Sequence, residues 1–574
     1  MPTYKVRNVG QVGVISDIPP YDLPPNAWND AQNVRFEGSK VEKFGGNSRA
    51  MERKVKDGEV TLAIAGLRDT RTDSSWIIGT TKNLYKIKSP TDVIIASSTL
   101  DGYNARPSQT WYYTTLSNCL VMNNLGDEPQ GIRPTEEKFQ PLPEWGMVTG
   151  ADGKKVKLEW RTYLMRSYKN FLIALNTFED GKEYPQRIRW SDIADVNDLP
   201  QDWDDRSTTN SAGFNDLTDA TGEIIDGLPM RDSFIIYTTE DTFQMQFIGG
   251  NSIFRFTKLF SGSGILGRQC VAEFDGKHFV ISNNDVYVHD GSSRKSIVAG
   301  RIRERLMREI TSVNPLATRV FTIYPKKEIW VCYARPGTDL RNEGDWTTNR
   351  AAVWNWEFDT WTFYDLPDNT DVNLVAPLAV DTRKWEDYDG QDVNDPKHSW
   401  ANVDPLEQWE ITSQNFASQH FVAMGKFGTV FQIDTGERFY NDEFTEAYNK
   451  PDSGAIIPIT QDVYQSVQKP LLARMERRQL DFDEVGLQTW GNVKVRKCYP
   501  QFTGEGSVRI EVGGVNDSNS APNWKEQQMF TIGQQYQTSF RTNNKYIAMR
   551  FTDDNIGRWA FTGYDLDIVA GGVR

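Results

Sequence analysis

The sequence predicts an all-β protein: a β-propeller of about six to eight irregular blades, with an extended N-terminal arm and a C-terminal β-sandwich-like domain. Three observations predict it. The chain is rich in aromatics (18 Trp, 22 Tyr, 29 Phe), many beside Val, Ile and Thr, a mixture that suits half-buried pleated surfaces better than helix faces. A unit of short apolar strand, polar turn and second apolar strand recurs, its starts roughly 45 to 60 residues apart, with one wider gap near residues 334–416. Helical periodicity is scarce. Its best stretch is Arg301–Ile310, where Ile302, Leu306 and Ile310 share one face.

At 574 residues the chain exceeds one ordinary core, so two or three domains are expected unless a single repeat architecture takes most of it. The expected boundaries are 1–60 for the arm and a hairpin, 61–445 for the propeller, and 446–574 for the C-terminal domain. In the arm, Ile18-Pro19-Pro20-Tyr21-Asp22-Leu23-Pro24-Pro25 fixes φ repeatedly and removes donors, so it reads as extended rather than helical. Tyr21 and Trp28 on this arm are the candidates for clamping a neighbouring ring or subunit; packing of the arm on its own chain is the alternative. Next, alternating apolar residues from Asn33 to Gly46 flank a Glu37-Gly38-Ser39 turn, a hairpin signature.

Within the repeat, Trp76–Gly79 leads to Leu84–Ile87, Cys119–Met122 to Gly131-Ile132, Phe171–Ala174 to Gln186–Trp190, and Phe234–Tyr237 to Phe243–Phe247. The clearest copy runs from His278–Ser282 through Asn283-Asn284-Asp285 to Val286–Val288. Further copies start at Glu328–Tyr333, returning through Ala352–Trp356 and Trp361–Phe363, and at His420–Met424, returning at Val430–Ile433. One small sheet cannot bury both faces, and stacking sheets about an axis supplies each with two neighbours. Unrelated hairpins in sandwich domains would give a similar pattern. An irregular acidic segment, 368–416, reads as an inserted subdomain or docking loop. Beyond about residue 450 the repeat fades, while Gly506–Val512, Lys545–Phe551 and Trp559–Ile568 alternate like strands with one wet face.

The formal charge of −14 disfavours a nucleic-acid grip, which needs cations to neutralise phosphates. It suits a surface that repels nucleic acid, or simply solubility. Cys119, Cys270, Cys332 and Cys498 lie far apart with no paired metal spacing, so they read as reduced, buried small hydrophobes. No run approaches the roughly 18 apolar residues of a membrane span, and the N-terminus has no apolar leader core, which points to folding in a cytoplasm.

No catalytic or cofactor-binding residue is assigned, and no cofactor is expected. Of the four histidines, His278, His289, His398 and His420, no two sit at metal-ligand spacing; His278 and His420 precede equivalent strands, which favours a structural role. Walker, nucleophile-elbow and His-Glu-x-x-His patterns are missing from the sequence. Asp387, Asp389 and Asp392 (with Asp395) cluster around Gly390 as a weak metal candidate, but no distal Glu completes a calcium loop.

The block Tyr21–Phe36, continuing to Lys43-Phe44-Gly45-Gly46, resembles the opening of tail nozzle (hub or stabilization) proteins of short-tailed, podovirus-type phages. A second resemblance to that family runs through Tyr184-Pro185-Gln186-Arg187-Ile188-Arg189-Trp190-Ser191-Asp192, Ser211–Phe214, Gly222–Gly227 and Ile236-Tyr237. With the repeat, these blocks cover about two thirds of the chain. The resemblance implies a non-enzymatic virion tail protein, made in the host cytoplasm. It implies a hexameric ring below the portal and adaptor rings, docking tail spikes or fibres and a plug or needle protein. DNA would pass through the lumen during ejection without specific binding. The alternative is a propeller carbohydrate-binding or glycan-cleaving tail protein.

Overall fold

A computed structural model describes residues 3–51, 55–56, 59–68, 74–88, 93–150, 152–207, 209–250, 252–335, 348–376, 420–425, 430–439, 469–480, 482, 491–517 and 520–571. Among these the strands form ten separate sheets. Five are four-stranded and built from consecutive strands in simple up-and-down order. They span Thr61–Arg68 to Val93–Ile95, Tyr112–Leu116 to Gln140–Pro141, Trp160–Tyr168 to Gly213–Asp216, Ile224–Met230 to Phe254–Ser261, and Val271–Phe274 to Arg294–Ser296. A seven-stranded sheet runs from Arg319–Ile323 to Val430–Ile433 and takes Asn47–Met51 as its last strand.

The hairpins lie where apolar runs flank polar turns. Trp76 pairs with Ile87, Leu120 with Ile132, Ile173 with Trp190, Phe234 with Met245, Ile281 with Val286 and Val422 with Gln432. Turn chemistry fixes the register at several of them. Between Val271–Phe274 and Lys277–Ile281, Asp275 (φ 45°) and Gly276 (φ 68°) both take the left-handed conformation that a two-residue hairpin matched to strand twist requires.

Apolar faces are buried between neighbouring sheets. Leu67 and Ile77 pack with Leu120 and Ile132; Ile173 and Leu175 with Ile236 and Phe243; Ile64 and Ile78 with Val422 and Val430. The helix Arg303–Thr311 turns Leu306, Met307 and Ile310 inward, close to the face its periodicity predicts.

The expected β-propeller is corrected by this strand order. The described strands fall into open antiparallel sheets of unequal size, from two to seven strands, and no sheet closes into a barrel or propeller. The repeat encodes strand–turn–strand pairing, a local property, and unequal sheets satisfy it as well as equal blades do.

Strands of the first fifty residues are woven into sheets of the last hundred. Thr3–Arg7 and Lys40–Lys43 both pair with Trp559–Ala570, and Asp30–Gln32 pairs with Ala473–Leu480. The resulting six- and five-stranded sheets share a core in which Phe551 and Phe561 lie 4.9 Å apart and Phe502 stacks on Phe561 at 4.3 Å.

Candidate functional site

The two arm candidates have different fates. Tyr21 sits in the one-turn helix Pro20–Asp22 and is 44% exposed. Trp28 is 1% exposed and belongs to the chain's own core: its Nε1 donates to the Val9 carbonyl at 2.8 Å, and its ring meets Phe551 edge-on at 6.0 Å. Its seat is therefore internal, and of the pair only Tyr21 is exposed.

The arm is held by a buried cation. Arg477 donates to the carbonyls of Pro20 (2.7 Å) and Leu23 (2.8 Å), and makes no ion pair among the described residues. Burial depresses its pKa, because the charged form has lost water and gained only carbonyl dipoles. Proline prepares this geometry by fixing the turn whose carbonyls accept from Arg477.

The hairpin that follows the arm is fastened at two points. Arg35 reaches Asp434 at 2.6 Å and Glu328, and lies 4.3 Å over the Phe44 ring. Lys326 also contacts Asp434, the Gly45 amide donates to it at 2.8 Å, and Trp330 Nε1 donates to Glu328 at 3.0 Å. Burial pushes the Asp434 carboxyl up, but Arg35 and Lys326 outweigh it and hold the pKa at about 2. Two residues before Gly45, Lys43 pairs with Asp553 at 2.8 Å with both side chains buried, and Trp559 Nε1 donates to the same carboxylate at 2.7 Å.

The second block of family resemblance forms a stack of alternating cations and rings. Arg187 lies 3.6 Å over Tyr184 and 4.2 Å over Phe214; Arg189 lies 5.0 Å over Phe214 and 4.1 Å over Trp160. Glu179 bonds both guanidiniums, and Asp216 grips Arg187 through two oxygens at 2.7 and 2.8 Å. Such bidentate, stacked arginines fix neighbouring strands against one another.

A third cluster joins two four-stranded sheets. Tyr237 Oη lies 2.7 Å from His278 Nδ1 and 2.5 Å from His289 Nε2, and all three side chains are buried. The two histidines are opposite one another in their hairpin, a register one residue off what counting outward from an Asn283–Asp285 turn gives. Tyr237 comes from another sheet, and the sequence carries no sign that it meets them.

The four cysteines are buried and unpaired, and burial pushes their thiols up, to about 11 for Cys119 and about 12 for Cys270, which makes poor nucleophiles of them. Asp387, Asp389 and Asp392, and His398, lie outside the described residues. Among the described residues no group of three or more His, Cys, Asp or Glu is placed to hold a metal, and no helix is long and apolar enough to cross a membrane.

No protein family and no curated protein matches the chain. Among solved structures, Hsv2 of Kluyveromyces marxianus is 6% identical, with a TM-score of 0.23 over 43% of this chain and 61% of that one. The extracellular domain of a hybrid two-component system from B. thetaiotaomicron is 10% identical, with a TM-score of 0.36 over 87% of this chain and 57% of that one. The chain thus spans about three fifths of each. Likeness this weak says nothing of what this chain does.

Proposed function

We propose that this chain is a non-catalytic structural protein of a short-tailed phage virion, a tail nozzle subunit that assembles as a ring beneath the portal and adaptor. The single observation that carries the reading is the pair of sequence blocks, Tyr21–Gly46 and Tyr184–Asp192, that resemble that family. It is consistent with this role that the charged side chains of both blocks, Arg35, Lys43, Arg187 and Arg189, are taken up in ion pairs and stacks that brace sheets. Closed rings form by repeating one heterologous contact. Six copies carry about −84 formal charges, six times the −14 of one chain, and the share facing the lumen would keep DNA from adhering.

Purified chain added to tailless particles that end in an adaptor ring tests the proposal. Stoichiometric, six-fold attachment visible by electron microscopy is the expected result. A chain that ignores such particles, or that turns over surface glycans, would overturn it. Removing residues 1–30 is an unsuitable control, because Val6, Val14 and Trp28 belong to the core. Tyr21→Ala, which alters only an exposed ring, is the variant that probes the arm as a contact.

A further inference from the structure

The His278–Tyr237–His289 cluster holds a fixed number of protons, and its partners state which. The Gly291 amide can only donate, and it points at His289 Nδ1 (3.3 Å), so that nitrogen accepts and Nε2 carries the hydrogen. The Pro229 carbonyl can only accept, and it lies 2.9 Å from His278 Nε2, so that nitrogen carries the hydrogen and Nδ1 accepts. One directed chain results: His289 donates to Tyr237, Tyr237 donates to His278, and His278 donates to Pro229.

Every acceptor in this chain is occupied. A proton added to His278 Nδ1 would point at the Tyr237 oxygen, which could accept it only by turning its own hydrogen away from that nitrogen, its acceptor. A proton added to His289 Nδ1 would meet the Gly291 N–H. Either way one buried polar hydrogen loses its acceptor in a dry site. The two rings, 5.6 Å apart between centres, would also repel once both were charged.

We propose that this cluster is an acid-sensitive lock between the sheet Ile224–Met230 to Phe254–Ser261 and the sheet Val271–Phe274 to Arg294–Ser296, closed while both imidazoles are neutral and released by protonation. Tyr237 stands in the first sheet and both histidines in the second, so loss of the chain loosens that joint before others. Burial holds both imidazoles low, at about 4 for His278 and, helped by the neighbouring His278, about 3 for His289. The charged groups facing them are committed elsewhere. Asp226 takes Arg166 at 2.9 Å and the Gln269 amide at 2.8 Å; Glu273 takes the Gly276 amide at 2.9 Å; Asp290 takes the Ser292 and Ser293 amides at 2.9 and 2.8 Å. Tyr287, 6.0 Å from His289 between ring centres, donates to the Ser263 carbonyl at 2.7 Å.

The sign is fixed by linkage. A histidine whose folded pKa is depressed stabilises the closed joint above its ordinary pKa of 6.5, and that contribution is lost as pH falls toward 4. Hydrogen exchange of the full chain, corrected for intrinsic rates, tests this between pH 7 and pH 5. Peptides covering Ser233–Thr238 and Lys277–His289 should exchange at least about tenfold faster at pH 5, while those covering Val493–Gly504 and Trp559–Ala570 should not change. The double variant His278→Gln, His289→Gln should lose that acid response; should it fold poorly, His289→Gln alone should halve the response on a logarithmic scale. Equal acid opening in both regions, a flat response at the joint, or an unaltered response in the variants would overturn the proposal.

Discussion

Asp434→Asn tests whether the hairpin is fastened to the seven-stranded sheet by charge. The carboxylate accepts from Arg35, Lys326 and the Gly45 amide in a buried site, and its pKa is held at about 2 against an ordinary value of 3.8. At about 1.4 kcal/mol per pKa unit, the ionised form stabilises the fold by about 2 kcal/mol relative to the protonated one. Asparagine imitates the protonated form, so near pH 6 the variant should be less stable by about 2 kcal/mol. Because the folded pKa is depressed, this stabilisation is present in full above 3.8 and lost as pH falls through 2. The wild-type advantage should therefore shrink to about 1 kcal/mol at pH 3. Urea unfolding of the wild type and the variant at each pH, followed by total tryptophan fluorescence, reads both values. A difference below about 0.5 kcal/mol at pH 6, or one that is the same at pH 3, would refute the reasoning.

Lys43→Met should cost about 3 to 5 kcal/mol, because it strands the buried Asp553 carboxylate; adding Asp553→Asn should recover part of the loss, and a double-mutant cycle on thermal unfolding measures it. Trp28→Ala should destabilise by about 3 to 5 kcal/mol in the same assay, whereas Tyr21→Ala should stay within about 0.5 kcal/mol, since one ring is core and the other is surface. At Gly46 an added Cβ would sit 1.8 Å from the Arg438 carbonyl oxygen, so Gly46→Ala should part the backbones there and free the chain at the already exposed Arg438 for faster cleavage in limited trypsin digestion.

Much of the local structure was legible in the residues. The turn within Glu37-Gly38-Ser39 and the helix carrying Leu306 and Ile310 follow from strand alternation, turn chemistry and the 3.6-residue period. These depend on neighbours within about a dozen positions. The arm was half legible: its prolines mark a segment outside the regular strands, but the extended reading missed the one-turn helix Pro20–Asp22, and nothing distinguished the buried Trp28 from the exposed Tyr21. That difference arises from Phe551 and Val9, which reach Trp28 from elsewhere in the fold. Nor could the sequence supply Arg477, which lies more than 450 positions from the carbonyls it donates to.

By itself the sequence determined that the chain pairs short antiparallel strands through tight turns, and where those turns fall. Only the tertiary structure decided how the strands group: among the described residues, ten open sheets of unequal size, with the first strands of the chain built into two large sheets that also hold the last ones. The physical reason is range. Alternation and turn residues fix the bonds within a hairpin, whereas the partner of an outer strand is chosen by packing and by buried charges such as Lys43 with Asp553, which no local pattern records.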